Sequence, residues 1–154
     1  MQIFIGADHR GFEWKEKLKE LLAGGVPGLE NIEVRDLGSF EYNQDDDFND
    51  AAIAVSEAVR GNTDARGILI CGSGDGMCIQ ANRFKGIRAS RCSSASEAQI
   101  AREHDDINVL CLSADRLDAN LLEQLVVTFL QTGFDEQNSN RMRRIGRLDE
   151  ENYA

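Results

Sequence analysis

Residues 66–76, RGILICGSGDG, constrain the fold more than any other stretch of the chain. Gly67 to Cys71 is an unbroken apolar run, which suits a strand buried on both faces, as in a parallel sheet covered by helices on either side. The run ends in a cysteine, and Gly72, Gly74 and Gly76 follow at once. Glycine adopts backbone angles that other residues resist, so GSGDG reads as a tight turn from that strand into a helix beginning near Met77.

The rest of the chain repeats the scheme of short apolar runs alternating with amphipathic segments. QIFIGA (2–7), NIEVRDLG (31–38), GIRASRC (86–92) and INVLCLS (107–113) read as further strands. Between them, 12–25, 45–61, 94–104 and 119–134 have helical spacing, with Phe12, Leu18, Leu21 and Leu22 near one face of the first. Strand and helix in alternation predict a three-layer αβα Rossmann-like, doubly wound α/β fold with about five parallel strands. Residues 134–154 are polar and charged and read, taken alone, as a solvated tail.

Composition sets the outer bounds. The chain has 154 residues, 42% of them apolar, enough for one core, so a single domain over 1–154 is expected. A formal charge of −10 argues against general nucleic-acid binding, which needs clustered cations on a basic surface. The N-terminus lacks the charged and apolar regions of a secretory signal, and no stretch has the roughly 18 apolar residues of a membrane span. The expectation is a cytoplasmic protein that engages no membrane. Cys71, Cys78, Cys92 and Cys111 lack the density of a disulfide scaffold, and Cys78, Cys92 and Cys111 read as buried free thiols. With two histidines in the whole chain, composition also argues against a zinc site.

In a doubly wound sheet the ligand crevice lies beyond the carboxyl ends of the strands. Asp8 and His9 follow the first strand; Cys71 and the loop Gly72, Ser73, Gly74, Asp75 and Gly76 follow the third. Amides of such a loop can converge on an anion, and a thiol beside them would have its thiolate stabilised toward neutrality, the condition for a proton-shuttling base. Each residue also has a plainer reading. The loop can be a turn without a ligand, Cys71 a core thiol, Asp8 a helix cap and His9 a surface residue. His104 and Asp105 precede the fifth strand, at the opposite edge of the sheet, where His104 could simply be a cation at a helix C-terminus. If His104 is catalytic, it should serve a neighbouring subunit's crevice. Arg141, Arg143, Arg144 and Arg147 suit phosphate monoesters, although each alone would be an ordinary solvated side chain.

Taken in order and spacing, GADHRGFEWKEKLKELL, DLGSF, GILICGSGDGMCIQANRFKGIRA and AREHDDINVLCL resemble the ribose-5-phosphate isomerase type B and galactose-6-phosphate isomerase family. The resemblance runs from about residue 2 to about residue 131. It implies aldose–ketose isomerisation of a phosphorylated sugar through a cis-enediol, with no metal and no organic cofactor. It further implies a homodimer or dimer of dimers with shared active sites, the 134–154 tail packing on a partner subunit. By position, Cys71 matches the cysteine that moves the proton between C1 and C2, and Ser73 with the Gly72–Gly76 amides matches the oxyanion pocket. His104 and Asp8 match the ring-opening pair, and His9 a phosphate ligand.

This chain departs from the family's pattern in several places. Phe48 stands where a tyrosine is usual, and Asp105 where an asparagine faces the sugar hydroxyls. Arg116 falls one place later than the usual arginine. Of the two tail arginines, Arg144 aligns while its partner's place holds Asn140, with Arg141 beside it. Ribose 5-phosphate is the first expectation for the substrate; galactose 6-phosphate or allose 6-phosphate, or a non-catalytic phosphosugar-binding subunit, are the alternatives. A nucleotide or flavin-binding domain would rest on the fold alone.

Overall fold

In the computed structural model, residues 1–150 are described. The elements alternate as β1 (Gln2–Ala7), α1 (Phe12–Ala23), β2 (Glu33–Asp36), α2 (Phe48–Val59), β3 (Ala65–Cys71), α3 (Asp75–Ala81), β4 (Ala89–Arg91), α4 (Ala95–Asp105), β5 (Val109–Ser113), α5 (Ala119–Gln131) and α6 (Ser139–Glu150). A turn of 3-10 helix, Ala114–Arg116, leads from β5 toward α5. The five strands form one parallel sheet in the order β2-β1-β3-β5-β4.

The period-two alternation of side chains along a strand divides the core into two slabs. Ile3, Ile5, Ile68, Ile70, Leu110 and Leu112 face α1, α4 and α5, where Leu18, Leu22, Leu125 and Phe129 meet them. Phe4, Leu69, Cys71, Val109 and Cys111 face α2 and α3, against Ala52, Val55 and Met77. Burying one such Leu, Ile or Phe contributes about 1.5–3 kcal/mol, so the two slabs hold the three-layer Rossmann-like fold together. The four cysteines are free; Cys71, Cys92 and Cys111 are buried and Cys78 is half-buried.

Side-chain caps fix where the helices start. Asp47 accepts from the Asn49 amide, Ser94 from Glu97 and Asp118 from Leu121, so α2 begins at Phe48 and the preceding acidic residues belong to the loop. The edge strand β4 is shorter than the 86–92 run suggests, because the Ile87 amide donates to the Phe84 carbonyl in a turn.

Two features go beyond the sequence reading. Lys15, on the apolar face of α1, is fully buried. Its ammonium lies 2.7 and 2.8 Å from the two oxygens of Asp36 and also bonds the Ser39 carbonyl, so the charge is paired and its donors are used. The second is the tail, which is largely helical: Met142, Ile145 and Leu148 recur every third residue among the charges, and Ile145 is buried. α6 packs against α4, and Asp149 accepts from Arg88 at 2.9 and 3.1 Å. Residues 151–154 of the tail lie outside the described residues.

β1 lies between β2 and β3, with α1 on one face of the sheet and α2 on the other. Reversal of the winding direction at β1 and β3 parts the loops that leave them and opens a crevice beyond their carboxyl ends.

Candidate active site

β1 and β3 deliver the first residues of the crevice. Asp8 follows β1, its amide donating to the Ile70 carbonyl at 3.3 Å. Its Oδ1 accepts from the amides of Arg10 and Gly11, both at 3.0 Å, so the carboxylate braces the turn that leads into α1. The cap of that helix is Gly11, with no side-chain hydrogen bond, so Asp8 is not the helix cap of the plainer reading. No protein donor reaches Oδ2 among the described residues, which leaves that oxygen available to a ligand. Burial pushes the Asp8 carboxyl above its ordinary range, against the pull of these amides and of His9.

The turn works because Gly11 has no side chain. A Cβ there would lie 2.1 Å from the Ile70 carbonyl oxygen, inside any contact distance, so β1 and β3 close together only around a glycine. At Gly74 the constraint is conformational, with φ at +81°, and a Cβ would also press on the Leu112 backbone at 3.0 Å. That bend turns the amides of Gly74 and Met77 toward the Cys71 sulfur.

Cys71 is buried at the end of β3. Its thiol does not move toward neutrality as the sequence suggested. Burial pushes it up, the Met77 and Gly74 amides pull it back only in part, and the charges of Asp8 and Asp75 add to the rise. The physical reason is desolvation of the thiolate, which two amides cannot offset while two carboxylates oppose the negative charge.

Around the thiol the loop is well tied. Ser73 is exposed at the mouth and its Oγ accepts from the Asp75 amide at 3.1 Å. Asp75 pairs with Arg91 at 2.9 Å. The Arg10 guanidinium covers Gly72 and bonds the Asp115 carboxylate, while the Phe48 ring lies against Gly76, its ζ carbon 3.0 Å from where a Cβ would be. His9 is half-buried, with Nδ1 2.7 Å from Asp46 Oδ1. Thus Asp8, His9, Cys71, Gly72, Ser73, Gly74, Asp75 and Gly76 lie together beyond the carboxyl ends of the adjacent strands β1 and β3.

His104 and Asp105 do not join them within the chain. They end α4, just ahead of β5, at the amino end of the strands, opposite the end that carries Asp8 and Cys71. There a groove of about 500 Å³ is lined by Phe84, Arg88, Asp105, Ile107, Leu148 and Asp149. Arg141 pairs with Asp135 at 2.8 Å and Arg144 is exposed, both on α6 beside α4 and far from the crevice of their own chain. Among the described residues no three His, Cys, Asp or Glu side chains gather as a metal-ligand set, and no helix is long and apolar enough to cross a membrane.

Sequence reasoning missed Arg10, Asp46, Ser39 and Asp115. Asp46 sits in an acidic run that reads as a helix start, and its partner His9 is 37 residues away, so no local spacing marks the pair.

Residues 3–148 match the sequence profile of the family described as Ribose/Galactose Isomerase. The chain belongs to that family. Among ribose/galactose isomerase relatives, the ribose-5-phosphate isomerase B of Escherichia coli (strain K12) is 36% identical over 135 residues, covering 87% of this chain and 86% of that one. A 4-deoxy-4-sulfo-D-erythrose isomerase of Clostridium sp. (strain MSTE9) is also 36% identical, over 136 residues, with 88% and 82% covered. The solved structure of ribose-5-phosphate isomerase B from Mycoplasma genitalium with bound ribulose-5-phosphate superposes with a TM-score of 0.88 at 36% identity, covering 97% of this chain and 94% of that one.

Proposed function

We propose that this chain is an aldose–ketose isomerase that interconverts ribose 5-phosphate and ribulose 5-phosphate through a cis-enediol. The observation that carries the reading is the Cys71 thiol, held at the end of β3 under the Gly74 and Met77 amides with Asp8 beside it, in a member of this family. Its 36% identity to an enzyme whose structure holds ribulose-5-phosphate supports the choice of sugar.

In this mechanism Asp8, with His104 supplied by a second copy of the chain, opens the sugar ring. Cys71, as the thiolate, takes the proton from C2 of the open aldose. The electron pair moves into the C1–C2 bond, and the carbonyl oxygen at C1 gains negative charge. Ser73 and the loop amides from Gly72 to Gly76 stabilise that oxygen, a term worth about 3–4 kcal/mol per donor in comparable sites. The proton held by Cys71 then returns to C1 while the hydroxyl proton on O2 passes to the O1 oxyanion, so that O1 becomes the C1 hydroxyl and O2 the ketose carbonyl. His9 holds the phosphate, with Arg141 and Arg144 of the second copy as further ligands and Asp105 facing the sugar hydroxyls. Met142 and Leu148, exposed on α6, supply apolar surface for that contact between copies, which makes a homodimer the working assembly.

A second reading, a phosphorylated or otherwise anionic sugar of another chain length, draws on the equal identity of the sulfo-erythrose isomerase and on the carboxylate at Asp105. Proton NMR in D2O tests the proposal. Ribose 5-phosphate should be converted with exchange at C2, and Cys71→Ala should lower turnover about a thousandfold while the fold stays intact. Normal turnover in that variant would overturn the role of Cys71; conversion only of six- or four-carbon substrates would move the reading to the second.

A further inference from the structure

His9 takes its geometry from three other elements of the chain. A carboxylate can only accept, so the 2.7 Å contact fixes Nδ1–H as donor to Asp46 Oδ1, and among the described residues no hydrogen-bond partner reaches Nε2. The other oxygen, Asp46 Oδ2, accepts from Ser39 Oγ at 2.9 Å. Ser39 is itself clamped: its amide donates to the Ala7 carbonyl at 2.8 Å, and its carbonyl accepts from Lys15. Lys15 has 0% exposure and is anchored by Asp36. A chain of contacts therefore runs from α1 and β2, through Ser39 and Asp46, to the imidazole. The Asp46 and His9 side chains are 11% and 27% exposed, so the pair is shielded well beyond an ordinary surface contact. Tyr42 stands edge-on to the ring, with centroids 6.3 Å apart, and closes another side.

We infer that Asp46 is a positioning residue for His9, setting its tautomer and direction so that Nε2 meets the anionic end of the substrate, with Ser39 and Lys15 holding Asp46 in place. Once Nε2 is protonated, both ring nitrogens donate, one to Asp46 and one to an oxygen of the anion. The inference rests on the proposed role of His9, but its first test does not depend on turnover.

That test is the imidazole nitrogen NMR spectrum of the intact protein at a pH where the rings are neutral. The chain has 2 histidines, so a His9→Gln variant assigns the signals. Wild type should show His9 protonated on Nδ1, and Asp46→Ala should move it to the Nε2–H form favoured by free imidazole; an unchanged tautomer would overturn the inference. Kinetics with ribose 5-phosphate give the second readout. Asp46→Ala should raise KM about tenfold with kcat within about twofold, as loss of an orienting partner does. Asp46→Asn, which can still accept from Nδ1–H, should recover most of that loss. The double variant His9→Gln/Asp46→Ala should bind no worse than His9→Gln alone, whereas additive losses would mean that Asp46 contacts the sugar itself and would sink the idea. Should wild type leave ribose 5-phosphate unchanged, the proposed substrate fails while the NMR result still decides the positioning role.

Discussion

Cys71 carries opposing demands. In the proposed mechanism it must act as a thiolate, yet the side chain is buried and two carboxylates, Asp8 and Asp75, lie close enough to raise its proton affinity. The Gly74 and Met77 amides offset only part of this, so the free enzyme holds the thiol protonated above the ordinary value of about 8.5. The sign for catalysis follows: kcat/KM should climb with pH through the alkaline range as the thiolate forms. Removing a nearby negative charge favours the anion, so Asp75→Asn should bring the rise to lower pH, and Arg91, freed from its 2.9 Å pair, acts in the same direction. A pH–rate profile of the two proteins checks this, and an unmoved or higher midpoint in the variant would contradict the electrostatic account. Asp8 shows the same economy of parts, one carboxylate oxygen bracing the turn and the other left to the crevice.

At the scale of elements, the site depends on how closely β1 and β3 approach at their carboxyl ends. Gly11 is the point of contact, and nothing larger fits beside the Ile70 carbonyl. Gly11→Ala should therefore destabilise the protein by about 2–3 kcal/mol in urea unfolding, a cost typical of overpacking against backbone. Activity should fall further than stability alone explains, because the displaced turn carries Asp8 and the displaced strand carries Cys71. A loss under about 0.5 kcal/mol would show that the turn yields more easily than its geometry implies. The β2–α2 loop is tied in a different way, by the buried Lys15 ammonium on the Ser39 carbonyl. Its order comes from polar contacts that converge on one cation.

For the whole molecule, the separation of Cys71 from His104 is the decisive fact. Cys71 lies at the carboxyl end of β3 and His104 just ahead of the amino end of β5, so the length of the parallel strands stands between them within one chain. If sites are shared between copies, mixing inactive Cys71→Ala and His104→Ala subunits should restore activity. Random re-association makes half the dimers mixed, each with one intact site, so recovery should approach about a quarter of wild type. No recovery after verified subunit exchange would place both roles within one chain or remove His104 from the mechanism. α6 belongs to this scale too, since it carries Arg141 and Arg144 and packs against α4, the helix that holds His104.

Much of this was readable before any coordinates. The apolar runs of β1, β3 and β5, the helical spacing of α5, and Cys71 followed by glycines depend on neighbours within a few residues, where period and turn chemistry are direct signals. The topology rule then put Asp8, His9 and the Gly72–Gly76 loop at one end of the sheet and His104 at the other, and the structure agrees. Other features were hidden. The burial of Lys15 depends on Asp36 and the Ser39 carbonyl, 21 and 24 residues away, and α6 shows only three apolar residues among many charges. The thiol's true environment was also hidden, because a glycine loop announces amides but not how much water it excludes. Asp46 lies in a run of acids with nothing to distinguish it. Its meaning comes from His9, 37 residues away. Local periodicity is written along the chain; desolvation and long-range pairing exist only once distant segments have been packed together.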